Sequence, residues 1–173
     1  MQRGEDCVYS VGDYIVHPGQ GVCLVGEISS EPSECYLLLP IGQRHPMRIS
    51  FPIASEDRLR PVLSDAEAQA VIEAFPTLEL DPFTAKSNAL EEEHFRNEIR
   101  QGTCLDAVRI VKTFRARIAQ VRANNKKPPV AYERILKHAT ERSLTELSVA
   151  LDTTVDDVRD RFAAEDQDGS GTC

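Results

Sequence analysis

Two stretches of the chain carry residue types whose spacing invites chemistry. The first is "HPGQG" at 17–21, an imidazole beside two glycines, with Asp13 and Cys23 close by in sequence. An acid, an imidazole and a thiol are the parts of a nucleophilic site, and closely spaced glycines are the parts of a phosphate cradle. A cradle needs a helix N-terminus directly after the glycines, usually opened by Lys-Ser/Thr. Here a run of strand formers, "VCLVGEI", follows instead. A nucleophilic site needs nucleophile, base and oxyanion donors assembled together, and neighbours in one hairpin do not supply that. Turn geometry accounts for the glycines: His17-Pro18-Gly19-Gln20 fits a type II turn, with Pro18 presetting φ and Gly19 supplying φ > 0 at the third position. No catalytic residue and no enzymatic activity are expected.

The second stretch is basic. The chain has 173 residues and a formal net charge of −8, yet residues 109–142 hold ten basic and two acidic residues. Such asymmetry suits contact with a polyanion; a solvated helix face that neutralises acidic neighbours is the plainer account. On a helix over 104–123, Val108, Val111, Phe114, Ile118 and Val121 form an apolar arc. Arg109, Lys112 and Arg117 point off that arc, Arg115 and Arg122 lie at its edge, and Lys126 and Lys127 extend the charge into the following turn. A stripe of this kind contacts phosphates without reading bases.

Other chemistries find little support. The five cysteines are odd in number, form no Cys-x-x-Cys pair and do not cluster with His, so neither a disulfide framework nor a metal site is expected and a reducing cytoplasm fits best. No cofactor motif is present. No apolar run approaches the roughly 18 residues of a membrane helix, and "MQRGEDCVYS" has no signal-peptide character. The tail "DQDGSGTC" imitates the start of an EF-hand loop but stops before the twelfth-position Glu, so calcium binding is not expected. The segment "SLTELSVALDTTVDDVRDRF" has a helix-turn-helix rhythm. Its second helix presents Asp156, Asp157 and Asp160 where a reading helix offers Arg, Lys, Asn or Gln.

The elements that position these residues fall into two groups. Residues 8–53 read as short strands with tight turns: "YIV", "VCLVGEI", "CYLLLP" and "MRISFP", the last alternating apolar and polar. They predict a small β-barrel or bent sheet. After residue 60 the pattern turns helical. Ser64/Glu67, Thr103/Asp106, Ser143/Glu146 and Thr154/Asp157 each fit a capping box. Helices are predicted over about 65–75, 89–101, 104–123, 129–141, 144–151 and 155–164, with Gly102 capping the second. "PTLELDPFTAKSN" reads as a linker. The expected organisation is a β module over 1–76, a linker over 77–87, a helical domain over 88–165 and a disordered tail over 166–173: an α+β chain with no internal repeat.

These residues carry a family resemblance. "VGDYIVHPGQGV" is similar to the Val-Gly-Asp-x-Val-Val-x-Pro-x-x-Gly opening of the CarD/CdnL/TRCF family, matching at Val11, Gly12, Asp13, Ile15, Val16, His17, Pro18, Gly21 and Val22. "MRISFP", "LRPVLSDAEAQAVIEAF", "EIRQGTCLDAVRIVKTF" and "ERILKHATERSLTELSVAL" resemble later family elements in the same order. The resemblance implies a bacterial transcription regulator without enzymatic activity. It implies a Tudor-like N-terminal domain that docks on the β subunit of RNA polymerase, and a helical C-terminal domain that touches promoter DNA non-specifically and tunes the open complex. On this chain the implied polymerase-facing positions are Ile28, Glu31, Arg48 and Ser50. The basic stripe Arg109, Lys112, Arg115, Arg117, Arg122, Lys126 and Lys127 is the candidate DNA surface. Where well-known members carry a tryptophan at the start of the first C-terminal helix, this chain has Asn88, followed by Glu91, Glu92 and Glu93, and it contains no Trp. Two other readings stay open: a helix-turn-helix repressor using 143–164, and a protein-protein adaptor that never meets nucleic acid.

Overall fold

The structure is a computed structural model and describes residues 7–169. The chain divides into two units that meet at Val62/Leu63. The first holds strands β1 (Tyr14–His17), β2 (Gly21–Ser29), β3 (Cys35–Pro40), β4 (Ile49–Pro52) and β5 (Arg60–Pro61). All neighbours are antiparallel, in the order β4-β3-β2-β1-β5. The sheet is open rather than closed into a barrel, with β4 and β5 as its two edges.

One face of the sheet carries the core: Ile15, Cys23, Val25, Tyr36, Leu38 and Phe51, closed by Tyr9 and Leu59. The period-2 alternation of the strands places these side chains together. Tyr36 is fully buried, and its hydroxyl donates to Glu56 at 2.5 Å while accepting the Tyr9 N–H at 3.3 Å. Burial, and then the hydrogen bond to the Glu56 carboxylate, hold its phenol above the ordinary tyrosine range.

The "HPGQG" turn differs from the type II reading. Positive φ falls on Gly21 (80°), not on Gly19. His17 pairs with Gly21, so residues 18–20 form a three-residue hairpin loop followed by a left-handed glycine. His17 Nδ1 accepts the N–H groups of Gly19 (3.0 Å) and Gln20 (3.1 Å), and its ring meets Phe51 edge-on at 5.3 Å. The imidazole fastens the loop.

The second unit holds α1 (Asp65–Ala74), α2 (Asn88–Gln101), α3 (Cys104–Ala123), α4 (Val130–Ala150) and α5 (Val155–Gly169). The expected boundary at 76 therefore moves to 62. Ala68, Val71 and Ile72 of α1, with Phe75 just after it, pack with Cys104, Val108, Leu144, Leu147, Val158 and Phe162 in one apolar cluster. A second cluster joins Phe95, Ile99, Ile110, Val111, Phe114, Ile135 and Ala139. Helix α3 contributes to both, which is why its buried face is wider than the predicted arc and includes Ile110 and Thr113.

Three of the four capping boxes form, at Ser64/Glu67, Thr103/Asp106 and Thr154/Asp157. Ser143/Glu146 does not start a helix. Ser143 is buried inside α4, where its hydroxyl donates to the carbonyls of Ala139 (2.8 Å) and Thr140 (3.2 Å), a mid-helix alternative open to any serine. The two helices expected over 129–141 and 144–151 are thus one. Gly102 does end α2, but with φ −82°. Its reason is space: a Cβ there would lie 2.6 Å from the Glu98 carbonyl oxygen. Helix α5 runs to Gly169, so the first four residues of the expected tail over 166–173 are helical; 170–173 lie outside the described residues.

Helix α4 ends in a Schellman-type cap. Thr153 N–H donates to the Ser148 carbonyl and Asp152 N–H to that of Val149, with Asp152 left-handed at φ 49°. A left-handed residue with a Cβ costs energy that glycine does not. Asp152→Gly should stabilise the helical unit by about 0.5–1 kcal/mol, read as a raised urea midpoint at unchanged m; a lowered midpoint would contradict the cap assignment.

Candidate docking edge and nucleic-acid interface

The docking candidates lie in or near β2 and β4. Ser50 faces away from the core as expected. It shares a row with Leu37 and Glu27, while the neighbouring row of Ile28, Tyr36 and Phe51 points into the core. Ile28 is therefore a correction: its side chain is half-buried against the core cluster. Arg48 is exposed just before β4, and Glu31 is exposed just after β2.

The β4 edge has a defined hydrogen-bonding pattern. Ile53 N–H donates to the Glu34 carbonyl at 3.1 Å. In an antiparallel pair, mutually bonded residues alternate with unbonded ones. Bonded pairs thus fall at Ile49/Leu38 and Phe51/Tyr36, and the main-chain N–H and C=O of Ser50 point away from β3. On Ser50's face, Leu37 and Leu39 of β3 and Leu24 of β2 are half-buried and Tyr14 is exposed. The opposite edge is blunted by a two-residue β5 that ends in Pro61.

The basic stripe separates into two sets. Lys112 and Arg117 turn inward onto residues 75–83. Lys112 Nζ donates to the carbonyls of Phe75, Pro76 and Leu78, each at 2.8 Å, and sits 5.5 Å from the Phe75 ring centroid. Arg117 donates to the carbonyls of Asp81 (3.1 Å) and Phe83 (2.6 Å), lies over the Phe114 ring at 4.9 Å, and stands 3.8 Å from the carboxylate of Glu91. Neither residue is available as part of a solvent-facing stripe.

The same contacts correct the linker. Asp81 N–H donates to the Thr113 hydroxyl at 2.8 Å, Ala85 N–H to Glu91 at 3.0 Å, and Phe83 stacks on His94 with centroids 3.5 Å apart. Residues 78–85 are a strap bound onto α2 and α3. Glu91–Glu93 likewise do not form a row of acids facing outward. Glu91 is buried, Glu92 pairs with Arg96 (3.2 Å) and Arg134 (3.8 Å), and only Glu93 is exposed. Asn88 is exposed in the first turn of α2. Tyr132 lies near the Glu91–Arg117 pair, and burial, then the Glu91 charge, raise its phenol pKa.

The outward set is Arg109, Arg115, Arg122, Lys126 and Lys127. Arg115, Arg122, Lys126 and Lys127 are exposed. Arg109 is paired with Asp106 at 3.7 Å and Arg122 with Glu133 at 3.8 Å. In α5 the first turn is acidic, and hydrogen bonds from Thr153 and Thr154 hold the Asp157 carboxyl below its ordinary range. Its N-terminal end thus carries negative charge, opposite to what a major-groove reader presents. Among the described residues no cluster of His, Cys, Asp and Glu is arranged to hold a metal ion, and no helix is long and apolar enough to cross a membrane.

No curated protein matches the chain. Residues 9–63 match the CarD-like/TRCF RID domain family, spanning all five strands and the Gly12-Asp13 turn in which Ser10 N–H donates to Asp13 at 2.8 Å. Residues 9–63 are thus similar to the RNA polymerase-interacting domains of the CarD-like/TRCF family, and that similarity supports a transcription-related function.

Proposed function

We propose that this chain is a non-enzymatic transcription regulator of the bacterial cytoplasm. Its Tudor-like N-terminal unit docks on the β subunit of RNA polymerase, and the complex adjusts the promoter open state. The observation that carries this reading is the β4 edge, where the main chain of Ser50 is directed away from β3 beside the leucine-bearing face of Leu37 and Leu39. A strand of the partner adds to such an edge through main-chain hydrogen bonds, and side chains on alternate positions give selectivity. The helical unit contributes phosphate contacts through Arg109, Arg115, Arg122, Lys126 and Lys127, without base readout.

The test is retention of RNA polymerase by the immobilised full chain. Ser50→Pro removes the outward N–H and leaves the β3–β4 ladder intact, as edge positions allow. Retention should fall at least about tenfold, the equivalent of about 1.4 kcal/mol, with an unchanged melting temperature. Undiminished retention would remove β4 as the dock, and no retention by the parent chain would pass the lead to the adaptor reading. DNA contact has its own readout: Lys126→Ala/Lys127→Ala should flatten the salt dependence of promoter-DNA affinity by about two in log–log slope. Affinity indifferent to salt would exclude phosphate contact.

A further inference from the structure

We propose that a cavity in the helical unit binds a small amphiphilic monocarboxylate, a short aliphatic acid. The cavity measures about 190 Å³ and opens between α3, α4, α5 and the residues that follow α1. Phe75, Val108, Val111, Leu144 and Phe162 form its floor, all buried, with Phe75 and Phe162 meeting edge to face at 5.1 Å. The Ser143 hydroxyl in the wall is committed to two carbonyls of its own helix. The deep end therefore favours hydrocarbon over any polar group.

The mouth has a different character. Arg115, Thr140, Arg159 and Asp166 line it. Arg159 is held by Asp156 at 3.0 Å. Arg115 is exposed and has no acidic partner among the described residues. One uncommitted cation over an apolar floor complements a single negative charge on a hydrocarbon tail. Asp166 sets the upper limit, since a dianion such as a phosphate ester meets its carboxylate. The volume is below the roughly 300–1,000 Å³ typical of drug-sized ligands, which points to a short acid. This site is independent of the polymerase edge and shares only Arg115 with the basic stripe.

The experiment is calorimetric titration of the full chain with saturated carboxylates from butanoate to decanoate, with octan-1-ol and octylamine as head-group probes. Affinity should rise about fourfold per methylene until the cavity is full and then level off. Octanoate should bind about tenfold tighter than octan-1-ol, the difference a charge-assisted hydrogen bond supplies, and octylamine should bind more weakly than either. Arg115→Gln should abolish the preference for octanoate over octan-1-ol, and Asp166→Asn should tighten octanoate severalfold. Ala163→Trp, on the exposed rim of α5, should block all three probes while the protein stays folded by circular dichroism. No binding by the folded parent chain, affinity independent of chain length, or octanoate binding unaltered by Arg115→Gln would each overturn the proposal.

Discussion

Arg117→Ala should destabilise the helical unit by about 3–5 kcal/mol, the cost of leaving a buried charge without its partner. The melting temperature read from helical circular dichroism should fall by roughly 10 °C or more. Glu91 is 4% exposed, and Arg117 forms an ion pair with it at 3.8 Å. Removing the guanidinium also orphans the Asp81 and Phe83 carbonyls and uncovers the Phe95 and Phe114 rings. Arg117→Lys should restore little, because an ammonium cannot span two carbonyls and stack on an aromatic face at once. Glu91→Gln/Arg117→Met should recover part of the loss, since it removes both charges and fills the space with apolar atoms. Hydrogen exchange localises the effect: the amides of Asp81, Phe83 and Ala85 should lose protection first. An Arg117→Ala protein within 1 kcal/mol of the parent would show that the strap is held elsewhere.

Lys112→Met has the next largest expected effect, about 2–4 kcal/mol. Methionine keeps much of the aliphatic stem and deletes the ammonium that serves three carbonyls at the exit of α1. A hydrogen bond to a charged donor contributes about 1.5–3 kcal/mol, and the three share one cation, so their sum is not additive. The decisive comparison joins stability to DNA affinity. Lys112→Met should lower the urea midpoint and leave the salt slope of DNA binding unchanged, whereas Lys126→Ala/Lys127→Ala should do the reverse. A Lys112→Met protein of normal stability with a slope reduced by about one would return Lys112 to the phosphate-facing surface.

The mistaken and the correct expectations divide along a physical line. Capping boxes at Ser64, Thr103 and Thr154 were readable because a cap joins residues three apart. Ser143/Glu146 carries the same spacing, but a serine hydroxyl inside a helix has the carbonyl four residues back within reach, and only the burial of Leu144 and Leu147 decides that the helix continues. The outward placement of Ser50 followed from strand alternation. That of Ile28 did not, because a bulge between Val25 and Glu27 shifts the register and puts Ile28 beside Tyr36 on the core side.

The turn at 17–21 shows the same division on a smaller scale. Proline and glycine announced a tight loop, and a loop is there. Which glycine is left-handed depends on the pairing of His17 with Gly21, a property of the hairpin and not of either residue.

By itself the sequence determined the fold class, the opening run of short strands with its Gly12-Asp13 turn, and the family that residues 9–63 resemble. These rest on periodicity, turn chemistry and motif spacing, which act between residues close in the chain. Only the tertiary structure decided which cations of the 109–127 stripe remain outward, where the first unit ends, and that 78–85 is a strap. Lys112 and Arg117 find their carbonyls 34 to 37 residues away. A charge pattern records how many cations a helix carries; it holds no information about the distant main chain that folds back to meet them.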